Sequence, residues 1–240
     1  IAGRMSSLMG AFYLAKSQEG QGVLLGGVPG VSSGNVLILG GGVAGMNAAR
    51  VAAGIGANVT LLEVDLDKMH FIDLSTNGTI RTIYSTENAL LERLPQVDLL
   101  IGAVLVPGAR APRLVRREHL RSMKPGSVFV DIAIDQGGCA ETSRPTTHED
   151  PVYFEENVLH YCVANMPGAY ARTSTQALNN ATMPYSLLLA NHGLQNALKQ
   201  VPELQPGLNT YQGEIVHPIV AEALGESPAN NPFTHGAIPS

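Results

Sequence analysis

The residues best suited to chemistry form a glycine-rich run at positions 40–45. The run reads Gly40, Gly41, Gly42, Val43, Ala44 and Gly45, directly after the apolar segment 36–39 and before a stretch of small residues. In a strand–loop–helix context, Gly40 permits a tight turn, Gly42 lets a phosphate approach the backbone, and Gly45 lets the helix pack close to the strand. The backbone N–H groups of the loop and the helix dipole would attract phosphates. The pattern therefore predicts a dinucleotide pyrophosphate site.

An acidic residue stands where this site needs one. Glu63 ends the next apolar segment, 18 residues after Gly45. Its carboxylate would accept hydrogen bonds from an adenosine ribose and repel a 2′-phosphate, which favours NAD over NADP. Lys68, five residues later, is expected to reach the same ribose or a phosphate. The alternative is a glycine-rich turn that binds no ligand.

Alternating strands and helices must position these residues. Apolar strands are predicted at 36–39, 59–62, 79–83, 97–101 and 128–131, and helices at 2–18, 43–55, 65–74, 86–94 and 114–123. This alternation indicates βαβ units, and the continuous apolar strands indicate a sheet buried on both faces. The predicted fold is α/β, a Rossmann doubly wound parallel sheet with helices on both faces.

The pattern changes after Asp135. Residues 136–157 are polar and are predicted to be irregular, and a further strand is predicted at 158–163. Thr173 and Gln176 have the spacing of a capping box that opens a long helix to about residue 199, with a kink expected at Pro184. A last helix is predicted at 213–224.

The composition limits the classes of binding partner and the cellular compartment that we expect. Charged residues make up 15% of the 240 residues, the net charge is −5, and basic residues are not clustered. We therefore expect no nucleic-acid partner and no membrane partner, since no apolar run reaches the roughly 18 residues of a membrane span. Cys139 and Cys162 are interpreted as reduced thiols of a cytoplasmic protein.

Further motifs resemble the alanine dehydrogenases, in the order of that family and over nearly the whole chain. They are Gly26–Gly30, the loop Gly40–Gly45, Val104–Ala109, Asp131–Gly138, Ser143–Thr147, Ala164–Ala169 and Asn180–Tyr185. The resemblance implies NAD-dependent, reversible oxidative deamination of L-alanine to pyruvate and ammonia, by a homo-oligomer that is commonly a hexamer.

The resemblance also implies a domain organisation. Residues 1–171 would be the NAD-binding domain, and residues 172–240 the C-terminal part of the substrate domain. The other part of that domain, which supplies an arginine, a lysine and a histidine to the family's active site, has no counterpart here. We therefore expect a fragment that binds NAD without turning over alanine.

Asp135 matches the family's catalytic aspartate. Hydride leaves the alanine Cα for the nicotinamide, and water then attacks the resulting iminium, so a positioned acid or base is required. Asp131, at the end of the fifth predicted strand, is the rival on position alone. Other residues that the resemblance places along the cofactor are Ser85, Val104, Leu105, Ile132, Ala133, Ile134, Ala164, Asn165, Met166 and Pro167. For the apolar members of this set, ordinary packing is the alternative.

Two other functions are compatible with these residues. The NAD-binding subunit of proton-translocating transhydrogenase shares the fold, and a non-catalytic NAD-binding module would keep the loop and Glu63 without needing Asp135. None of the seven histidines is predicted to bind a metal, since no pair has ligand spacing. His70, His119 and His148 are predicted at the surface, and Cys139 lacks a partner histidine in sequence that would make it a nucleophile.

Overall fold

A seven-stranded sheet organises the first part of the chain. The structure, a computed structural model, describes residues 1–105 and 111–233. Contacts divide the described chain into two units, residues 1–105 with 111–169 and residues 170–233. The motif residues Val106, Pro107, Gly108 and Ala109 lie outside the described residues.

The sheet has the strand order β3-β2-β1-β4-β5-β7-β6. Its strands are β1 (Asn35–Leu39), β2 (Asn58–Glu63), β3 (Ile80–Tyr84), β4 (Leu99–Gly102), β5 (Val128–Asp131), β6 (Val152–Glu155) and β7 (Val158–Tyr161). All neighbouring pairs are parallel except β6 with β7. The order reverses at β1, which has β2 on one side and β4 on the other. This is the doubly wound arrangement that the sequence predicts.

Both faces of the sheet are buried, as the continuous apolar strands indicate. Val36 and Ile38 of β1 belong to one hydrophobic core, and Leu37 and Leu39 belong to the other. Successive side chains of a strand point to opposite faces, so a strand covered on both sides is apolar throughout.

Helices cover these faces in the first unit. They are α1 (Ala2–Tyr13), α2 (Val43–Gly54), α3 (Leu66–Thr76), α4 (Glu87–Leu91) and α5 (Arg117–Leu120). Helix α1 packs on α2, where the Ser7 hydroxyl donates to the Ala48 carbonyl at 2.8 Å. Small residues on both helices allow this approach: a Cβ at Gly3 would overlap the carbonyl oxygen of Ala44.

Two predictions for this unit were wrong. The expected helix at 114–123 shrinks to α5, because the N–H groups of Leu114 and Val115 instead donate to the carbonyl of Cys139. The irregular stretch 136–157 contains β6, which forms a hairpin with β7. Glu156 and Asn157 at its turn have φ of 49° and 62°, the backbone sign that tight hairpins of type I′ need.

The second unit contains a long helix, α6 (Ala171–Gln200), a hairpin of β8 (Thr210–Tyr211) and β9 (Glu214–Ile215), and helix α7 (Pro218–Leu224). Helix α6 begins at Ala171 without a side-chain cap, so Thr173 lies within the helix and the predicted capping box was wrong.

The break within α6 lies at Gly193, with φ 69° and ψ 167°, and not at Pro184 as predicted. The predicted helix 213–224 was wrong in its first half. A turn at Gln212 and Gly213, both with positive φ, forms the β8–β9 hairpin there.

Candidate functional site

The glycine loop lies at the carboxyl ends of β1 and β4, where the strand order reverses. Gly40 follows β1 with φ of 96°, a conformation that glycine adopts without steric cost. A Cβ on Gly40 would lie 2.9 Å from the carbonyl oxygen of Ala103, which follows β4. Ligands of doubly wound sheets bind in the crevice at this point of the fold.

Gly42 and Gly45 of the loop have different surroundings. A Cβ on Gly45 would overlap the carbonyl oxygen of Gly40, so only glycine lets α2 pack this close to the loop. A Cβ on Gly42 would meet no atom within 4 Å. Gly42 therefore faces open space in which a ligand can approach the backbone.

Helix α2 presents an uncapped N-terminus to this space. Gly42 is its N-cap residue, and no described side chain accepts a hydrogen bond from its first turn. Val43 is 85% exposed and Ala44 is partly exposed. The backbone amides and the positive end of the helix dipole therefore form a site suited to an anion.

Glu63 is bonded directly to the glycine loop. Its Oε2 accepts a hydrogen bond from the N–H of Gly41 at 2.7 Å. Its Oε1 accepts from the N–H groups of Val64 at 2.8 Å and Asp65 at 3.1 Å. The side chain is only 8% exposed. Since a carboxylate offers about four acceptor positions, about one is left for a ligand hydroxyl.

Lys68 and Ser85 both follow Glu63 in the chain, Lys68 on α3 and Ser85 just past β3. Lys68 is exposed on α3 and pairs with Asp65, the N-cap residue of that helix, at 3.3 Å. Hydrogen bonding from the Lys68 backbone N–H is the main cause of a lowered pKa of Asp65. Ser85, just past β3, donates its N–H to the Glu63 carbonyl at 2.8 Å.

A cavity of about 410 Å³ extends from Ser85. Leu62, Val64 and Arg116 also line it. Beside it, His119 is only 4% exposed, contrary to the predicted surface position. Burial, followed by the nearby Arg116, lowers the pKa of His119. A larger cavity of about 620 Å³ lies at the opposite edge, near the start of β1 and β2.

Asp131 and Asp135, the two rival carboxylates, occupy different environments. Asp131 is fully buried and accepts hydrogen bonds from the N–H of Ala133 at 3.0 Å, the N–H of Cys139 at 2.9 Å and the hydroxyl of Ser143 at 2.5 Å. Burial raises the pKa of Asp131 despite these donors. Its contacts hold the short 3-10 turn Ile132–Gln136, which carries Asp135.

Asp135 is exposed at this edge of the sheet. Its Oδ1 accepts a hydrogen bond from the N–H of Asn165 at 3.2 Å. The structure thus brings together two sequence-predicted residues that are 30 positions apart. Ala164 is exposed beside Asn165, Met166 is buried, and Pro167 is partly buried.

The apolar candidates divide by exposure. Leu105 is 69% exposed and Val104 is partly buried against the core. Ala133 and Ile134 are 6% and 5% exposed, so both pack in the interior, whereas Ile132 keeps part of its surface accessible.

Sequence reasoning missed three contacts of this arrangement, which involve Gly41, Ser143 and His148. Gly41 stands within the predicted loop, but its bond to Glu63 depends on how two strands are placed. Ser143 reaches Asp131, and His148 contacts the Asn165 carbonyl at 3.2 Å. Ser143 belongs to the motif Ser143–Thr147, but no local pattern indicates either contact, because each joins segments that are distant in sequence.

The cysteines lie in the interior. Cys139 and Cys162 are free and fully buried. Burial raises the pKa of Cys139 well above its usual range and that of Cys162 to about 12. Since the thiolate is the nucleophile, neither side chain is suited to attack a substrate.

Clusters of metal ligands and membrane-spanning helices are both absent from the part of the chain that the structure describes. Within residues 1–105 and 111–233, no three histidine, cysteine or acidic residues are grouped as a metal site would need. In the same ranges, no helix combines the length and the apolar character required to cross a membrane.

Comparisons with known proteins agree on a family. The model of the family "Alanine dehydrogenase/PNT, C-terminal domain" matches residues 6–218. An alanine dehydrogenase of Halomonas elongata is 54% identical over 225 residues, which cover 94% of this chain and 61% of that protein. The chain thus spans about three fifths of the length of the curated relatives it matches.

Solved structures give the same result. An L-alanine dehydrogenase matches with a TM-score of 0.85 and 47% identity, over 93% of this chain and 62% of the other. A transhydrogenase from Sinorhizobium meliloti matches less well, with a TM-score of 0.60 and 25% identity over 73% of this chain and 51% of the other. The chain belongs to the alanine dehydrogenase/PNT C-terminal domain family.

Proposed function

We propose that this chain forms the NAD-binding part of an alanine dehydrogenase, which deaminates L-alanine oxidatively and reversibly to pyruvate and ammonia. The observation that carries the proposal is the direct bond between Glu63 and the glycine loop at the point where the strand order reverses. It occurs in a chain that is 54% identical to an alanine dehydrogenase. The weaker match to a transhydrogenase makes that function the less favoured one.

The residues of the loop fit NAD. Its pyrophosphate would lie against Gly42 and the amides that open α2, where the backbone faces open space. The free acceptor position of Glu63 would take a ribose hydroxyl, and its charge would repel the 2′-phosphate of NADP. Lys68, which is exposed on α3, would contact the ribose or a phosphate.

The cofactor would run from the cavity beside Ser85 to the edge that carries Asp135. Val104 and Leu105 would border the adenosine or the nicotinamide ribose, since both follow β4. Ile132, with buried Ala133 and Ile134 behind it, would support the nicotinamide. The segment bordering that ring would comprise Ala164, Asn165, Met166 and Pro167, together with Asp135.

Asp135 would act on protons near the substrate. When bound, NAD supplies the acceptor for the hydride that leaves the alanine Cα. The exposed carboxylate of Asp135 would take the proton of the water oxygen that attacks the resulting imine carbon, and would return it as the amine leaves. Asp131 is unsuited to this step, because its carboxylate is buried and occupied by three donors.

We propose residues 1–171 as the NAD-binding domain and 172–240 as part of the substrate domain. The division of the described residues between 169 and 170 supports this boundary. The arginine, lysine and histidine that the family uses to hold and process the substrate are not assigned here. These 240 residues alone should therefore bind NAD without forming NADH from alanine.

Calorimetric titration of the chain with NADH and NADPH tests the proposal. We expect NADH to bind at least about tenfold more tightly than NADPH, because one bidentate or charge-assisted contact is worth about 1.5–3 kcal/mol. Asp135→Asn should keep NADH binding, since the substitution leaves the loop and Glu63 intact. Absence of NADH binding, or tighter binding of NADPH, would contradict the proposal. Alanine-dependent NADH formation by the chain would contradict only its proposed inactivity.

The assembly and the compartment are further proposals. We propose a hexamer of the complete enzyme, following the family resemblance, in the cytoplasm, where two free buried thiols stay reduced. Sedimentation equilibrium of an enzyme that contains both halves of the substrate domain would measure the oligomeric state, and a stable monomer would contradict it.

A further inference from the structure

His148 lies next to the backbone that contacts Asp135. Its Nε2 is 3.2 Å from the carbonyl oxygen of Asn165. A carbonyl can only accept, so Nε2 carries the proton in this bond. The same carbonyl accepts the N–H of Gly168 at 2.9 Å. A Cβ on Gly168 would lie 3.2 Å from the side-chain Nδ2 of Asn165 and 3.3 Å from Nε2 of His148, so the three residues are closely packed.

A short strand-like pairing brings His148 to this position. The backbone of Thr146 pairs in parallel with Val163. The N–H of Thr146 donates to the Cys162 carbonyl at 2.9 Å, and the N–H of Ala164 donates to the Thr146 carbonyl at 3.1 Å. His148 and Asn165 each lie two residues beyond this pair, so the backbone pairing places them side by side.

Asn165 holds an uncommon backbone conformation. Its φ is 53°, in the left-handed region that asparagine tolerates better than most residues. In this conformation its N–H points to Oδ1 of Asp135 at 3.2 Å, while its carbonyl is held by His148 and Gly168. The two ends of the residue are thus fixed by different partners, and loss of one leaves the conformation less determined.

We propose that His148 is a positioning residue for Asp135, acting through the backbone of Asn165. By donating to the Asn165 carbonyl, His148 stabilises the left-handed conformation that directs the Asn165 N–H at the carboxylate. The N–H in turn orients Asp135 at the edge of the sheet. The inference rests on the proposed role of Asp135, but its contacts exist without any cofactor.

Amide hydrogen exchange in the cofactor-free chain tests this inference. The Asn165 amide should exchange about fivefold faster or more in His148→Ala, because a hydrogen bond contributes about 1 kcal/mol. His148→Gln should stay near the wild-type rate, since the Gln side-chain N–H group takes the place of Nε2. His148→Asn, whose amide is too short, should resemble His148→Ala. His70→Ala, at an exposed position on α3, is the control and should change nothing at Asn165.

A double-mutant cycle separates positioning from a general loosening of the loop. Asp135→Ala should speed exchange at Asn165 several-fold in the wild-type background and have little further effect in His148→Ala. Equal effects of Asp135→Ala in both backgrounds would overturn the inference, as would unchanged exchange in His148→Ala. These outcomes are independent of NADH titration, so failure of the proposed function would be seen separately.

Discussion

Three glycines of one helix and its loop should respond to the same substitution in three ways. Gly42, Gly45 and Gly54 belong to α2 or cap it, and a Cβ would meet open space at Gly42, a backbone carbonyl at Gly45 and open space again at Gly54. Only Gly42 faces the proposed pyrophosphate site. Replacing each by alanine therefore separates ligand contact, packing and helix propensity with one chemical change.

Gly45→Ala should destabilise the fold. The added methyl group overlaps the carbonyl oxygen of Gly40, and a backbone atom cannot move aside as a flexible side chain would. Overpacking of this kind costs about 1–3 kcal/mol, and we expect the upper part of this range. Gly54→Ala should instead stabilise the helix by about 0.5 kcal/mol, because alanine loses less backbone entropy than glycine.

Gly42→Ala should leave stability unchanged within about 0.5 kcal/mol and weaken NADH binding. The methyl group would occupy the space in which the pyrophosphate meets the amides of α2. Loss of one or two charge-assisted hydrogen bonds costs about 1.5–3 kcal/mol, so the dissociation constant should rise about tenfold to a hundredfold.

Urea unfolding followed by circular dichroism measures the free energy of unfolding of each variant. Calorimetric titration with NADH measures its dissociation constant. Gly54→Ala is the matched control, because it adds the same methyl group to the same helix away from the loop. Wild-type NADH affinity in Gly42→Ala would show that the loop is not the phosphate site. A Gly45→Ala variant as stable as Gly54→Ala would refute the close approach of helix and loop.

Two further predictions concern buried titratable groups. Burial lowers the pKa of His160 from 6.5 to about 4, so the unfolded chain takes up a proton first and stability is lost as the pH falls between these values. By about pH 4.5 the loss should reach about 2–3 kcal/mol, and it should be missing in His160→Asn; parallel pH profiles of the two proteins would contradict this. Asp131→Ala leaves two buried N–H groups and the partly buried Ser143 hydroxyl without their acceptor, and it should lower the free energy of unfolding measured in urea by about 3–5 kcal/mol, with Ser143→Ala costing less. A loss below about 1 kcal/mol for Asp131→Ala would show that the loop does not depend on this carboxylate.

The sheet could be predicted from sequence because its signal is local. Six strands are predicted, most of them largely apolar, and all six appear within a few residues of the expected bounds. The hairpin strand β6 was not predicted, because Val152–Glu155 is short and only half-buried. At α6, Thr173 has the sequence neighbours of a capping box, but the helix begins at Ala171. Tertiary context therefore overrides the local preference for a helix start at Thr173.

In the candidate site, too, some features follow from the local sequence and others depend on tertiary packing. Glu63 could be found from its spacing to the loop, whereas its bond to Gly41 follows from the parallel register of β1 and β2, which places Leu39 beside Leu62. His119 looked like a surface residue because its neighbours are charged, yet packing of the helix buries it. Position in sequence identifies which residues can do chemistry, and packing decides which of them meet.

Asp131 and Asp135 make this point most directly. They are four residues apart on one strand end and its following turn, and sequence position alone does not separate their roles. Burial separates them: Asp131 has no accessible surface and three donors, while Asp135 is exposed with the N–H of Asn165 on one oxygen. A carboxylate that holds a loop must be enclosed by its donors, and one that exchanges protons with a substrate must keep an accessible oxygen. The two requirements exclude each other at a single residue, so the buried aspartate is best understood as the support that holds the exposed one in place.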